Sequence, residues 1–417
     1  MNTKYGKVTQ YMKSFKAIIL ICIILFIVPK KKKNIILHKK VYSENSYFTT
    51  WATSLYQISP PSFKLNQNTI RQTVRVTVGG KKIRLKVSNQ FGKSNLEIKG
   101  VSISDIIENS EIDKRTIKYL TFKGKGGITL KAGEESYSDT IPYQLNTRSQ
   151  IAITMYFGSV PKQISGHILG RPYTYCNKKN KLGLRKFEES EKDVHWYFIS
   201  AIEVSSKIDK KTVVCFGDSI TDGVTKYKDS RYNYPDFLHE KFNKMLKTSN
   251  IAVVNAGISG DKITIKGLER FQHDVLNIKG ISHIIVLYGV NDINFSNRSA
   301  KKVISAYKKI ITLSHEKNIP IYAGTIMPFS SYNGYGVKPV WNKNKEKQRK
   351  KVNRWIRETK PENGGFDAFF DFDYLVKDEK NETKFNKDYD CGDGLHPSEK
   401  GYRRMVEGIN NTDLFTN

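Results

Sequence analysis

The feature that most constrains the fold is a change in hydrophobic period near residue 210. Up to about Ser205, short segments alternate apolar and polar residues, as in Val74–Val78 and Ile83–Val87, which Gly79-Gly80 separates. A period of two indicates strands that bury one face, and the glycine pair predicts a hairpin between these two strands. We therefore expect the first half of the chain to form an all-β sandwich of jelly-roll type.

The period differs from Lys211 onward, where short apolar runs alternate with longer amphipathic segments. This pattern predicts an α/β domain with a parallel sheet covered by helices on both faces, because each crossover returns across the sheet. The carboxyl ends of its strands then converge on one edge. The predicted strands are Thr212–Phe216, Ile251–Asn255, His283–Tyr288, Pro320–Thr325 and Phe366–Phe372, and the predicted helices are Pro235–Leu246, Gly267–Leu276, Ala300–Lys317 and Lys345–Glu358.

The amino end carries an apolar run, Ala17–Val28, with lysines before it and the block Lys30–Lys33 after it. The run is too short for an untilted span of about 20 residues, but it suits the apolar part of an export signal. Retention as an uncleaved anchor is the alternative. We therefore expect an exported protein, extracellular or anchored at the outer face of the cell, with residues 1–43 as signal or anchor and basic linker, 44–208 as β-sandwich and 209–417 as α/β domain.

The composition is strongly basic, with 70 Lys and Arg against 40 Asp and Glu and a formal net charge of +30. Such a charge favours anionic surroundings, for which an anionic cell-wall polymer or a membrane surface is a candidate partner. No helix-turn-helix, zinc-ligand spacing or RNA-binding signature accompanies the charge, so we expect no nucleic-acid partner. A solvated lysine-rich surface is the plainer interpretation. The cysteines outside the amino-terminal run are too scattered for a disulfide framework or a metal cluster.

Four clusters of small and polar residues follow predicted strand ends or lie in the last loop, where open α/β folds gather binding groups. Together they supply what acyl transfer requires: a hydroxyl, an imidazole to take its proton, a carboxylate to orient the imidazole, and donors for an oxyanion. The G-x-S-x-G elbow of α/β-hydrolases is not matched, because Thr221 stands at its second glycine. The clusters are Gly217–Gly223, Asn255–Gly257, Gly289–Asp292 and Asp393–Pro397.

Asp393 precedes His396 by three residues in a glycine-containing turn. From there the carboxylate can reach the Nδ1–H of the imidazole and leave Nε2 facing a serine. For Ser219 taken alone, an ordinary helix N-cap is the commoner role. The ordered set of four clusters favours catalysis.

The four clusters resemble the blocks of the SGNH/GDSL hydrolases, which carry Ser, Gly, Asn and His in this chain order. The resemblance runs from Lys211 to about the carboxyl end, with Ile220 where the family has leucine. It implies a flavodoxin-like three-layer fold for this part of the chain. The segments Trp51–Ser54 and Arg71–Gly92 also resemble the β domain that precedes the hydrolase in secreted two-domain bacterial members.

The resemblance also implies roles for individual residues. Ser219 would be the nucleophile, His396 the general base and then acid, and Asp393 the partner that orients His396. The oxyanion hole would consist of the backbone N–H groups of Ser219 and Gly257 and the side-chain amide of Asn291. No cofactor and no metal are expected.

The function expected on these grounds is a serine esterase that hydrolyses carboxylic esters through an acyl-serine intermediate, with acetyl groups on carbohydrate as the expected substrate. One alternative is a lipase or lysophospholipase that acts on longer acyl chains. The other is a non-catalytic protein that binds cell wall or polysaccharide. Residues Gly166–Asp193 are predicted to form a long loop, and His167 at its start is a candidate to approach the substrate.

Overall fold

Antiparallel sheets occupy the first half of the chain and a parallel sheet the second. The computed structural model describes residues 46–170, 172–188, 190–207, 210–225, 232–246, 250–334 and 341–409. The predicted signal or anchor, and the predicted boundary between residues 208 and 209, lie outside these residues and stay predictions. Within the described ranges, no helix combines the length and the apolar character that crossing a membrane requires.

The antiparallel strands form two larger sheets and a small one. The antiparallel strands are β1 (Tyr47–Ala52), β2 (Tyr56–Ile58), β3 (Asn68–Arg75), β4 (Gly80–Ser88), β5 (Leu96–Glu108), β6 (Glu111–Ile112), β7 (Lys118–Leu120), β8 (Ile128–Leu130), β9 (Glu135–Tyr137), β10 (Ile141–Leu145), β11 (Gln150–Phe157), β12 (Ile164–His167), β13 (Thr174–Lys178), β14 (Glu191–Asp193), β15 (Trp196–Tyr197) and β16 (Ile199–Ser205). The sheet orders are β1-β16-β4-β10 with β9 beside β4, β14-β13-β3-β11-β5-β6 with β7 and β8 beside β5, and β15-β12-β2.

The two larger sheets share one apolar core. Val74 on β3 and Ile153 on β11 belong to the same buried cluster as Leu85 on β4 and Ile202 on β16, and all four are fully buried. This alternation of inward-facing aliphatic side chains is what the period of two predicted. The predicted all-β character of the first half is confirmed as a set of antiparallel sheets, and the jelly-roll topology stays a prediction.

The predicted hairpin between β3 and β4 is wrong, because these strands belong to different sheets. The segment between them bonds to β1 instead: the Thr77 N–H donates to the Thr50 carbonyl at 3.0 Å and the Val78 N–H donates to the Thr50 hydroxyl at 2.9 Å. Gly79 allows the chain to pass close to Leu145 on its way from one sheet to the other, since a Cβ atom at Gly79 would lie 2.4 Å from the Leu145 carbonyl oxygen. The predicted long loop is also wrong in part, because it contains β13 and β14.

The parallel sheet has the order β18-β17-β19-β20-β21. The first of these strands in the chain, β17, lies between the second, β18, and the third, β19. This is the flavodoxin-like order of doubly wound folds. The predicted strands and helices of this half are present, with ends displaced by a few residues. The strands are β17 (Lys211–Gly217), β18 (Ile251–Gly257), β19 (Ile281–Leu287), β20 (Ile321–Gly324) and β21 (Ala368–Phe370).

Helices cover this sheet, and their buried residues recur at helical spacing, as at Val303, Tyr307 and Ile310. Two π-helical turns, Ile263–Gly267 and Gln272–Leu276, flank α3, and short 3-10 turns occur at Lys114–Thr116 and Pro361–Asn363. The helices are α1 (Ser219–Asp222), α2 (Tyr234–Leu246), α3 (Leu268–Phe271), α4 (Val290–Asn294), α5 (Ala300–His315), α6 (Lys343–Glu358), α7 (Phe372–Val376) and α8 (Glu399–Glu407).

Strand β1 joins the antiparallel region to the parallel sheet. The Thr49 N–H donates to the Lys279 carbonyl at 2.9 Å, and the Thr212 hydroxyl donates to the Thr49 carbonyl at 3.3 Å. Phe48 lies against Gly280, where a Cβ atom would come within 2.4 Å of its ring. The antiparallel region is therefore packed on the sheet whose strand ends carry the predicted site.

Candidate active site

Ser219 is the first residue of α1, and only Asp218 separates it from the end of β17. The side chain of Asp218 caps this helix by accepting the Ile220 N–H at 3.1 Å through one carboxyl oxygen. Gly217 allows the tight turn from strand to helix, because a Cβ atom there would lie 2.0 Å from the Thr221 hydroxyl oxygen. The N–H of Ser219 lies in the first helical turn, where backbone donors have no partner within the helix. This geometry leaves both the hydroxyl and the N–H of Ser219 at the strand edge.

His396 and Asp393 complete a hydrogen-bonded relay with Ser219. The Ser219 hydroxyl lies 2.8 Å from His396 Nε2, and His396 Nδ1 lies 2.6 Å from Asp393 Oδ2. All three residues are buried. Because the Asp393 carboxylate accepts the Nδ1–H, Nε2 is free to accept the proton of the serine hydroxyl. The structure thus brings together residues that stand 177 positions apart in the chain.

The loop that carries Asp393 and His396 is fixed by Asp390. Its carboxylate accepts the N–H groups of Gly392, Asp393 and Gly394, at 2.8, 3.2 and 3.0 Å. Gly392 and Gly394 both have positive φ, at 103° and 77°, a conformation that favours glycine. Although ligand atoms of Asp390, Cys391 and Asp393 lie within 4.8 Å of one another, the carboxylates are used by the turn and by His396.

Asp393 is held in its ionised form. Burial alone would raise the pKa of its carboxyl, but hydrogen bonds and charge from His396, together with the Leu395 N–H, outweigh burial and leave the pKa below its ordinary value. An ionised Asp393 keeps His396 in the tautomer with the hydrogen on Nδ1, and it stabilises the imidazolium that forms when Nε2 takes a proton.

The structure corrects the prediction for Gly257. Its N–H donates to the Asn255 side-chain oxygen at 2.9 Å, so this N–H is already occupied within its own loop. The lack of a side chain serves packing instead, because a Cβ atom at Gly257 would lie 2.3 Å from the Asp222 backbone nitrogen. Gly257 brings the end of β18 against α1 and does not face an open position.

Gly260, in the same loop, offers the unoccupied backbone N–H that was predicted for Gly257. We call residues Gly257–Asp261 the oxyanion loop, after the role that we propose for it. Gly260 is exposed, has φ of 76°, and has nothing within 4 Å of the position of a Cβ atom. Within the described ranges, no acceptor contacts its N–H. The next residue, Asp261, accepts one N–H of the Asn291 amide at 3.0 Å through its carbonyl, which leaves the second amide hydrogen to donate elsewhere.

Arg270, whose side chain is 11% exposed, is a support that the sequence did not single out. Its guanidinium donates to the carboxylate of Asp261 at 2.7 Å and to the carbonyls of Gly217 and Ala256 at 3.1 and 2.9 Å. It also bonds the hydroxyl of Tyr288 at 2.5 Å. One side chain therefore ties together the ends of three neighbouring strands. A lone arginine in a helical pattern carries no local signal of this role.

His167 lies elsewhere than the predicted loop would place it. It is the last residue of β12, it is buried, and its Nε2 lies 3.1 Å from the Asp222 carboxylate at the end of α1. Asp222 in turn accepts the N–H and the hydroxyl of Ser259. His167 therefore contacts the support of the oxyanion loop.

Asp218, beside the serine, is kept neutral by its surroundings. Burial raises the pKa of its carboxyl to about 8, and the negative charges of Asp292, Asp261 and Asp222 add to the rise, while the Ile220 N–H opposes it. One oxygen of the Asp218 carboxyl is buried, and no described residue bonds it. A protonated carboxyl is the form that such a site tolerates.

This protonation predicts a pH dependence of stability. The folded state keeps the Asp218 proton up to about pH 8, whereas the ordinary value is 3.8. Between pH 3.8 and about pH 8 the unfolded state therefore binds fewer protons than the folded state. Because of this difference, the contribution of Asp218 to the free energy of unfolding falls as pH rises, by up to about 1.4 kcal/mol per pH unit. In Asp218→Asn this loss is absent, so we expect Tm of the variant minus Tm of wild type to increase from pH 5 to pH 8. The exposed control Asp388→Asn should give a constant difference; a constant difference for Asp218→Asn as well would contradict the assignment.

Comparisons with known proteins identify a family for part of the chain. Residues 215–404 match the model of the GDSL-like Lipase/Acylhydrolase family. No curated protein matches the chain. Similar solved structures include a lipase/acylhydrolase from Enterococcus faecalis, 23% identical, which covers 47% of this chain and 92% of that chain with a TM-score of 0.36. A GDSL-like lipase from Bacteroides thetaiotaomicron is 19% identical, with 49% and 88% coverage and a TM-score of 0.37. An acetyl xylan esterase from Geobacillus stearothermophilus is 18% identical, with 48% and 92% coverage and a TM-score of 0.35.

Proposed function

The second half of the chain, over residues 215–404, is a GDSL-like lipase/acylhydrolase domain, and from this premise we propose that the protein is a serine esterase. It hydrolyses carboxylic esters through an acyl-Ser219 intermediate. The observation that carries the proposal is the relay from Ser219 through His396 to Asp393, with atom separations of 2.8 and 2.6 Å. Nucleophile, base and orienting carboxylate at hydrogen-bonding distances are what an acyl transfer to serine requires.

The reaction follows from these contacts. The Ser219 hydroxyl oxygen attacks the ester carbonyl carbon while His396 Nε2 takes its proton, and the carbonyl oxygen becomes an oxyanion. The tetrahedral species collapses, the bond to the alcohol oxygen breaks, and the alcohol leaves with the proton from His396. Water then attacks the acyl-serine while His396 takes its proton; the bond between the acyl carbon and the Ser219 oxygen breaks, His396 returns the proton to that oxygen, and the carboxylic acid is released. Asp393 stays ionised throughout and orients the imidazole.

We assign the oxyanion hole to the backbone N–H groups of Ser219 and Gly260 and to the side-chain amide of Asn291. Ser219 and Gly260 each offer an N–H that no described residue occupies, and the Asn291 amide lies against the carbonyl of Asp261, next to Gly260. A neutral amide donates at any pH. Each such donor typically contributes about 3 to 4 kcal/mol to stabilising the transition state.

For the substrate, we propose short acyl groups, acetyl above all, on carbohydrate. Three features support this substrate: the GDSL-like acylhydrolase domain, the export-like segment at Ala17–Val28 and the attached antiparallel region, which we propose to be jelly-roll-like. A lipase or lysophospholipase acting on longer chains would use the same relay.

Acyl-chain length separates these two substrates. Rates of hydrolysis should be measured on 4-nitrophenyl esters from acetate to palmitate, all presented below the concentration at which they form micelles. We expect kcat/KM to be highest for acetate or propionate and to fall for longer chains, because a carbohydrate acetylesterase needs no groove for an alkyl chain. A steady rise from acetate towards the long esters would overturn the acetyl assignment and leave the serine-esterase proposal standing.

We propose an anionic cell-wall polymer at the outer face of the cell as the partner of the basic surface. Along α6, five exposed cationic side chains follow one helical stripe: Lys343, Lys347, Lys350, Lys351 and Arg354. Like charges four residues apart destabilise a helix by a few tenths of a kcal/mol per pair, and an anionic polymer would reverse this effect.

Retention on immobilised polyphosphate, as a probe of this stripe, tests the proposal. Changing Lys347, Lys350 and Lys351 to glutamine should lower the salt concentration that elutes the protein more than the matched change of three exposed lysines in the antiparallel region, Lys81, Lys82 and Lys93. Equal effects of the two triple variants would mean that net charge alone is responsible and would refute a binding stripe on α6.

A further inference from the structure

We propose that His167 and Ser54, both in the antiparallel region, are positioning residues for the oxyanion loop. The inference rests on the proposed function of the Ser219 relay, to which it adds the part played by the first half of the chain. On this account the antiparallel region completes the active site, although neither residue contacts the reacting atoms.

Among the side chains that hold the oxyanion loop from outside, Asp222 and Arg270 are the two that also contact the antiparallel region. The carboxylate of Asp222 accepts the N–H and the hydroxyl of Ser259, at 3.0 and 2.8 Å. The carboxylate of Asp261 accepts from Arg270 at 2.7 Å. Gly260 lies between these two supported residues, so the direction of its N–H follows from where Asp222 and Arg270 hold its neighbours.

His167 fixes the first of these supports. Its Nε2 lies 3.1 Å from Asp222 Oδ1, on the opposite oxygen from the one that Ser259 uses, and its Nδ1 lies 2.9 Å from the carbonyl of Ser54. Each ring nitrogen therefore faces an oxygen, one on Asp222 and one on Ser54. The rings of Tyr56 and Trp196 pack on the imidazole at centroid distances of 5.8 and 5.9 Å. The ring is therefore held firmly against Asp222.

Ser54 connects this support to the second one. Its carbonyl accepts from His167, and its hydroxyl oxygen accepts from the Arg270 guanidinium at 2.8 Å. Ser54 is buried, with 3% of its surface exposed. Ser54, two residues after β1, thus contacts Arg270 directly and reaches Asp222 through His167. Because loss of one oxyanion donor costs about a hundredfold or more in kcat, a small displacement of the loop is expected to lower kcat measurably.

The test is His167→Phe, which keeps an aromatic ring between Tyr56 and Trp196 but removes both ring nitrogens. The matched control is His195→Phe, in the same region, where the imidazole contacts Asp193 and Tyr197 and not the oxyanion loop. We expect kcat per titrated active site to fall at least about tenfold in His167→Phe, with KM within about twofold of wild type. We expect no such fall in the control. Counting titrated sites separates poor positioning from a smaller folded fraction.

Hydrogen exchange provides a readout that does not depend on activity. The amides of Ser259 and Asp261 should exchange at least about tenfold faster in His167→Phe than in wild type or in the control, because Asp222 no longer has a fixed position. Ser54→Ala is a smaller substitution that removes the hydroxyl oxygen bonded by Arg270. The same two measurements apply to it, and we expect a three- to tenfold fall in kcat. Wild-type exchange together with wild-type kcat per site in both variants would overturn the proposal. A wild-type protein without esterase activity would refute the proposed function, and the exchange rates would still decide the positioning role.

Discussion

Ser219→Ala is expected to lower kcat for ester hydrolysis by about six orders of magnitude. Without the hydroxyl, His396 has no nucleophile to activate and no acyl-enzyme forms, and removal of the serine from a working relay typically has an effect of this size. The assay is hydrolysis of 4-nitrophenyl acetate by purified wild-type and variant protein. Ser94, which is exposed in a surface turn, provides the matched control. Ser94→Ala should keep the wild-type rate.

The same comparison decides between catalysis and binding. If the chain were a wall- or polysaccharide-binding protein with an inactive hydrolase fold, wild type and Ser219→Ala would hydrolyse the ester equally slowly. Retention of the wild-type rate in the variant would remove Ser219 from the reaction. The intact contacts among Ser219, His396 and Asp393 favour the large difference.

Asp393→Asn is expected to lower kcat by about ten-thousandfold while the protein remains folded. The asparagine side chain can present its amide to His396 Nδ1 in place of a carboxylate oxygen. The imidazole hydrogen would then lie on Nε2 and point at the Ser219 hydroxyl, which is the wrong tautomer for a base. The variant also lacks the negative charge that stabilises the imidazolium. The assay is kcat with the acetate ester at the pH of highest wild-type activity.

Asp388→Asn provides the control for this substitution, because Asp388 is an exposed aspartate of the same carboxy-terminal loop region and pairs with Lys400. It should have the wild-type kcat. A fall of less than about tenfold in Asp393→Asn would mean that Asp393 does not set the tautomer of His396, and His396 would then act without an orienting carboxylate.

Much of the α/β half was predictable because its signals are local. A strand and the helix after it are each recorded in the period of their own residues, and the spacing of Asp393 and His396 lies within one turn of chain. Ser219 follows an apolar run by two residues, and the order of the four clusters, which resembles the SGNH/GDSL blocks, predicted its role. The relay could therefore be proposed before any distance between its members was known.

What the sequence could not provide depends on pairing between distant segments. The alternation in β3 and β4 predicts two strands but not their partners, and β4 pairs with β16, more than a hundred residues later. Gly257 and Gly260 are equivalent by type. Only the hydrogen bond from Gly257 to Asn255 and the positive φ of Gly260 separate them. A glycine after a serine in a loop was the one local signal for Gly260.

The supports of the site were missed for the same reason. Arg270, His167 and Ser54 are ordinary residues in their local patterns, and their roles arise only where the antiparallel region meets the strand ends. Buried polar side chains need hydrogen-bond partners, so a buried arginine or histidine always indicates a polar network. Burial, however, becomes visible only in the folded structure.

The most direct test of the account is covalent labelling of the native protein with a fluorophosphonate, followed by digestion and mass spectrometry of the peptides. A serine activated by His396 attacks the phosphorus, so we predict one equivalent of label on Ser219, with loss of esterase activity in proportion to labelling. No label on Ser219 in a protein that hydrolyses esters, or full activity after Ser219 has been labelled, would contradict the account.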